Sequence, residues 1–287
     1  MEQTTQIQLV ECPRDAMQGI DAFIATEDKI AYLNSLLKVG FHTLDCGSFV
    51  SAKAIPQLAD TKDVLNKLNV DGKTKLLTIV ANERGATEAC SFDNISYLGY
   101  PFSISETFQQ KNTNAGIEAS KERLLKIQEI VTAADKELVV YISMAFGNPY
   151  QDPFDEEIVY QYAEWIRSAG VNIISLADTV GIADANLVKT VTTKVVETLK
   201  DAIIGVHLHT TAGNWKPKLD AALEAGCKRI DGALFGHGGC PMVGDDLVGN
   251  MDTLQVISYF KEKGMSNNIN FEALSVASNL AQQIFIH

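Results

Sequence analysis

Hydrophobic positions along the chain fall into short runs separated by longer stretches with helical spacing. Runs of β type read at 7–12, 41–46, 75–80, 94–99, 138–143, 172–178, 203–209 and 228–234. Most are near-continuous apolar runs rather than strict alternation, which suits parallel strands covered on their outer face by helices. Between them, Ile30, Leu33 and Leu37, then Leu124, Ile127 and Val131, then Val159, Tyr162, Ala163 and Ile166, then Leu219, Ala222 and Leu223 each form one helical stripe. Gly40, Gly170 and Gly226 stand just past such stripes and fit helix C-terminal caps.

Repetition of strand and helix through about 250 residues, without a Pro- or Ser-rich linker, predicts a (β/α)8 TIM barrel of the α/β class. It is expected to be a single catalytic domain over 1–287, with one or two extra C-terminal helices after Met251. A doubly wound open sheet is the alternative. It lacks support because the first strand runs into CPRD instead of a GxGxxG turn.

Composition narrows the function classes. With 24 Lys+Arg against 36 Asp+Glu, the formal net charge is −12, and 46% of residues are hydrophobic. An acidic chain without a basic cluster lacks the main source of affinity for a phosphate backbone, so no nucleic-acid partner is expected. No apolar run reaches the roughly 20 residues needed to span a bilayer, and the N-terminal stretch has no targeting pattern. The expectation is therefore a cytoplasmic protein with no membrane partner. Five widely spaced cysteines with no CxxC pair read as free thiols.

In a barrel of this kind, reactive groups sit at the C-terminal ends of strands and in the loops that follow. Arg14, Asp15 and Gln18 close strand one; Asp45 and Ser48 close strand two; Ser143 closes strand five; Asp178 and Thr179 close strand six. His207 and His209 end strand seven, and period two points both imidazoles to one face, where they can grip one cation. Asp15 comes from a strand two barrel positions away and can complete a mixed O/N site for a divalent metal such as Mg²⁺ or Mn²⁺. The bland alternative is a pair of satisfied histidines at a barrel mouth. Arg14 supplies a fixed cation for a carbonyl or carboxylate oxygen, or else a salt bridge to Asp45 or Asp178. Cys240 lies in the Gly-rich loop 236–250, a loop suited to closing over a ligand, either as a proton donor or nucleophile or as a chance surface thiol. A zinc site from His207, His209, His237 and Cys240 is a further reading.

Taken together and in order, PRDAMQ (13–18), DCGSFVSAKAIPQLAD (45–60), SISETFQQKN (103–112), ADTVGIA (177–183), VHLH (206–209), GGCPMVG (238–244) and GN (249–250) resemble the 3-hydroxy-3-methylglutaryl-CoA lyase family of metal-dependent TIM-barrel lyases. The resemblance implies Asp15, His207, His209 and Asn250 as metal ligands, and Arg14 and Cys240 as catalytic, with His207 and Asp45 beside them. It implies Gln18, Ser48 and Phe49 near the substrate, and Ser143, Asp178 and Thr179 lining the same pocket. The implied reaction is a retro-Claisen cleavage of 3-hydroxy-3-methylglutaryl-CoA, or a close 3-hydroxyacyl-CoA, to acetyl-CoA and acetoacetate. Alternatives are a related aldolase, an acyl-CoA condensing synthase, or a catalytically weak metal-binding homologue. A small-molecule acyl-CoA is the implied partner, although no basic CoA-phosphate motif is visible, and a homodimer is left open. The chain departs from the family pattern where Asp45 replaces the usual Glu, where Thr210 and Thr211 follow His209 in place of Asp-Thr, and where Leu254 and Gln255 replace an acidic pair.

Overall fold

The computed structural model describes residues 7–239, 248–265 and 268–285. Eight parallel strands close into a barrel in chain order: β1 (Gln8–Glu11), β2 (Thr43–Ser48), β3 (Lys75–Ile79), β4 (Ile95–Ser103), β5 (Glu137–Ser143), β6 (Ile173–Asp178), β7 (Ile203–Leu208) and β8 (Arg229–Gly232). Closure comes from β8 pairing with β1, with Gln8 opposite Arg229 and Glu11 opposite Gly232. All eight expected strands are present, and the open-sheet alternative is excluded by that last pairing. Their residues are buried on both faces, as the continuous apolar runs required.

Crossover helices cover the outside, α2 (Thr26–Leu36), α3 (Thr61–Leu65), α4 (Glu83–Cys90), α6 (Ile117–Ala133), α7 (Glu156–Ser168), α8 (Ala185–Thr198) and α9 (Trp215–Glu224), and α10 (Thr253–Glu262) follows the last strand. Leu124, Ile127 and Val131 of α6, and Val159, Ala163 and Ile166 of α7, are all buried against the strands. Side chains of Asp155 and Asp184 cap α7 and α8 by accepting from the backbone N–H three residues on. Gly40, Gly170 and Gly226 take φ of +96°, +91° and +86° just past α2, α7 and α9, the left-handed turn that a side chain would strain. After α10, α11 (Phe271–Phe285) returns to pack on α2, so two helices follow Met251 as expected.

Three details depart from the sequence reading. The polar group after β1 is not a strand end but a short helix, α1 (Pro13–Gln18), because Pro13 presets φ at the first helical position and needs no N–H partner there. In β2 the register slips between Asp45 and Gly47, and this bulge re-aims the residues that follow. β4 continues four residues past Gly99, through Pro101 to Ser103. A further short helix, α5 (Glu106–Thr113), stands before α6 at the C-terminal end of the barrel.

Glu11 joins the barrel closure to the chain that returns after β8. Fully buried, its carboxylate accepts from Leu234 N at 2.8 Å and from Thr253 Oγ1 at 2.5 Å. Burial raises its pKa to about 8 against these two hydrogen bonds, which lower it. Between the unfolded value near 4.5 and about 8 the folded state binds the extra proton, so stability should fall as pH rises through that window. Glu11→Gln keeps an acceptor for Leu234 and removes the titration. We expect the unfolding free energy from urea titration to decline more steeply from pH 5 to pH 8.5 in the parent than in Glu11→Gln, the two curves diverging by on the order of 3–5 kcal/mol. Parallel curves would mean that Glu11 is already ionised at pH 5.

Candidate active site

A cavity of about 420 Å³ opens at the C-terminal mouth of the barrel. One side is polar, with Arg14, Asp15, Gln18, Asp45, His207 and His209; the other is mainly apolar, with Val50, Ile55, Ile79, Pro101, Phe108 and Tyr141. Ser143 and Thr179 complete the rim between strands, and Lys111, Asn112 and Thr113 reach it from the end of α5.

Arg14 organises the polar side. Its Nε donates to Asp45 at 3.0 Å and its Nη2 at 2.6 Å, a two-nitrogen grip on one carboxylate. Its Nη1 donates to Asp15 at 3.0 Å and to Gln18 at 2.9 Å; Gln18 lies one turn along α1, which is why the helix matters here. Burial disfavours the guanidinium charge, but Asp45 and Asp15 outweigh it and hold Arg14 firmly protonated. Burial pushes the Asp45 carboxyl up, and the Arg14 charge opposes it. Arg14 is thus a shared counter-ion for two carboxylates, and its salt bridge goes to Asp45 rather than to Asp178.

Asp15, His207 and His209 each bring one ligand atom into a group whose members all lie within 4.8 Å of one another. Burial alone would raise the Asp15 pKa, but Arg14, both histidines and a hydrogen bond from Asn250 carry it below the usual carboxylate range. Burial, helped by neighbouring His207, lowers His209 to about 4, so its imidazole is neutral near pH 7. His207 is anchored from beneath: Asp231, its register partner on β8, faces Nδ1 at 3.3 Å, which leaves Nε2 clear of that contact. Burial works against protonation of His207, and the hydrogen bond to Asp231 together with the Asp15 charge overcomes it. An ionised carboxylate with two imidazole nitrogens in this compass fits a divalent cation. Asn250 stands behind Asp15, bridged to the His209 backbone, its Nδ2 donating to Asp15 at 2.7 Å and to the His237 carbonyl at 2.8 Å.

Below the mouth the barrel holds a second charged layer. Arg229, completely buried, lies 3.6 Å from Asp231 and donates to Thr43 at 3.2 Å. Gly205 makes room for it, since a Cβ there would come within 2.9–3.2 Å of the Arg229 Cβ, Cγ and Cδ. Cys12, His207 and Asp231 form another group of ligand type. Burial pushes the Cys12 thiol up, so it stays protonated and is a poor ligand.

Not every expected residue meets the cavity. Phe49 turns outward and packs on Phe92, with ring centroids 5.6 Å apart, and Ser48 is buried with its hydroxyl accepting from Val50 N. The bulge in β2 puts Val50 on the wall instead. Asp178 is buried against Lys218 rather than facing the cavity. The Thr179 hydroxyl accepts from Met144 N at 2.9 Å at the rim. His237 stacks on Phe285, with centroids 4.6 Å apart, and belongs to neither ligand group among the described residues. Cys240 lies outside the described residues.

Asp231, Tyr141 and Lys218 were missed in the sequence. Asp231 was findable, because it alternates with Arg229 on a strand already recognised. Tyr141 stands two residues before Ser143 and so shares its face.

The fold and this mouth define a TIM-barrel enzyme with a carboxylate–imidazole cluster of ligand type at its centre. Residues 6–281 match the HMGL-like family model, and the chain belongs to that family of carbon–carbon lyases. It is 30% identical to the mitochondrial hydroxymethylglutaryl-CoA lyase of Mus musculus over 97% of this chain and 85% of that protein. It is also 30% identical to a hydroxymethylglutaryl-CoA lyase of Bacillus subtilis, over 94% of this chain and 90% of that one. The structure superposes with a TM-score of 0.92 on an HMG-CoA lyase from Acinetobacter baumannii in complex with coenzyme A and 3-methylmalate. That pair is 28% identical, over 100% of this chain and 93% of that one. Relatives include proteins named cytoplasmic as well as mitochondrial, and no helix among the described residues is long and apolar enough to cross a membrane.

The donor group makes a direct prediction. Asp15→Ala and His209→Ala should each weaken Mn²⁺ binding, read by titration calorimetry, by more than the roughly 10–100-fold lost when only an outer partner of a ligand is removed. Ser143→Ala, on the same cavity but outside the group, should bind as the parent does. Parental affinity in both of the first two variants would place the cation elsewhere.

Proposed function

We propose that this protein cleaves the carbon–carbon bond of 3-hydroxy-3-methylglutaryl-CoA, or of a close 3-hydroxyacyl-CoA, to give acetyl-CoA and a 3-keto acid. The observation that carries the reading is the convergence of Asp15, His207 and His209 beside Arg14 at the barrel mouth. The family and the coenzyme A bound to the A. baumannii neighbour support an acyl-CoA. A divalent cation held by Asp15, His207 and His209, with Asn250 adjoining, would supply Lewis acidity at the substrate's hydroxyl and carboxylate.

The reaction moves one proton and breaks one bond. The tertiary hydroxyl gives up its proton, the C2–C3 bond breaks to leave a ketone, and the pair of electrons passes to the thioester as an enolate, which takes a proton on carbon. Arg14, whose charge is fixed by Asp45 and Asp15, is set to stabilise negative charge as it develops on the enolate oxygen. Asp231 holds the His207 ring in one orientation, so the polar wall is preformed. The apolar wall around Ile79, Pro101 and Phe108 excludes water from the enolate. Cys240 is the proposed proton donor to carbon, a role that rests on its place in the Gly-rich loop and on the family resemblance.

Turnover of the Mn²⁺- or Mg²⁺-loaded protein against a panel of 3-hydroxyacyl-CoA thioesters and their free acids tests this reading. Cleavage of a thioester with release of acetyl-CoA is expected; cleavage of free acids alone would remove CoA from the reaction. Arg14→Met should lower kcat by orders of magnitude with a smaller change in KM, because its charge faces one that appears only in the transition state. A large rise in KM at parental kcat would make Arg14 a substrate anchor.

Asp45 sets substrate size in this account. Its carboxylate is one methylene shorter than the Glu usual in the family, which leaves about that much space beside Arg14. Asp45→Glu should shift kcat/KM toward 3-hydroxy-3-methylglutaryl-CoA over bulkier analogues by roughly 10- to 200-fold. Loss of activity on every substrate would instead tie the carboxylate's position to Arg14 alone.

A further inference from the structure

Lys218 is buried to 1% exposure, and its ammonium lies beneath the barrel mouth rather than in solvent. It sits in the first turns of α9, where a cation opposes the helix dipole, so local preference does not account for it. Its three N–H groups meet three acceptors on neighbouring segments: the Asp178 carboxylate at the end of β6 at 2.7 Å, the Gly181 carbonyl in the turn that follows at 3.2 Å, and the His209 carbonyl just past β7 at 2.9 Å. Asp178 in turn accepts from Ala183 N at 3.3 Å.

The tethered segments bracket the chain that returns to the mouth. Thr210 N donates to the Gly249 carbonyl at 2.9 Å and Met251 N to the Leu208 carbonyl at 3.1 Å, so the backbone on both sides of His209 holds Asn250 in place. On the far side Gly181 abuts Val248 so closely that a Cβ would lie 2.9 Å from its side chain. We propose that Lys218 is a positioning residue for the mouth, a buried three-pronged tether that fixes the backbone of His209 and the 248–250 stem carrying Asn250. The proposal rests on the reading of Asp15, His207 and His209 as the cation site.

Lys218→Met leaves Asp178 a buried charge without its partner and is prone to unfold. The Asp178→Asn/Lys218→Met double variant removes that charge while keeping an acceptor for Ala183 N, and so isolates the tether. In the folded double variant we expect Mn²⁺ affinity to fall 10- to 100-fold, kcat to fall more than KM rises, and amide exchange in 248–252 to accelerate at least tenfold. Parental exchange in 248–252 overturns the tether. Accelerated exchange with parental Mn²⁺ affinity, in a protein whose Asp15→Ala variant loses the ion, overturns its role in positioning the site. If Asp15→Ala binds Mn²⁺ as the parent does, the cation site itself is wrong, and the exchange measurement alone judges the tether.

Discussion

Closure of β8 onto β1 is the constraint from which the mouth follows. That pairing sets β7, β8 and β1 side by side, so His207, Asp231 and the helix carrying Asp15 come together although about 200 residues of chain lie between the first and the last. In an open sheet these strands would sit at opposite edges and no cation site could form. The closure is itself secured by Glu11, which reaches from β1 to the backbone after β8 and to the start of α10.

The interior of the barrel then concentrates charge in layers, each matched to the next. Arg229 faces Asp231, Asp231 faces His207, His207 and His209 face Asp15, and Asp15 shares Arg14 with Asp45. Removal of Arg14 or of Asp231 leaves a buried charge without its partner, which costs far more than a surface ion pair is worth. Such a chain is expensive in a core, and its concentration under one cavity distinguishes a site from packing. Neutral His209 and ionised Asp15 are the protonation states that cation binding requires.

The barrel was legible because its strands read as continuous apolar runs and its helices end at glycines that need positive φ. The His207 and His209 pair was legible through period two, and Asp15 through strand order. What escaped was set by local backbone geometry or by side-chain reach. A single bulge after Asp45 moved Phe49 off the cavity and Val50 onto it, and no pattern of hydrophobicity marks such a slip. Pro13 turned a strand end into a helix, which is what allows Arg14 to hold Gln18 and Asp15 at once. Asp178 does end β6, yet a lysine 40 residues later draws it away from the cavity, a pairing visible only once α9 is docked.

In the proposed reaction, two imidazoles and a carboxylate at the mouth bind one divalent ion at which the substrate reacts. Pulsed electron paramagnetic resonance of the Mn²⁺-loaded protein, with histidine labelled by ¹⁵N, reads this directly. Couplings from two histidine nitrogens are predicted, falling to one in His209→Ala. Tight Mn²⁺ binding without nitrogen coupling would contradict the account.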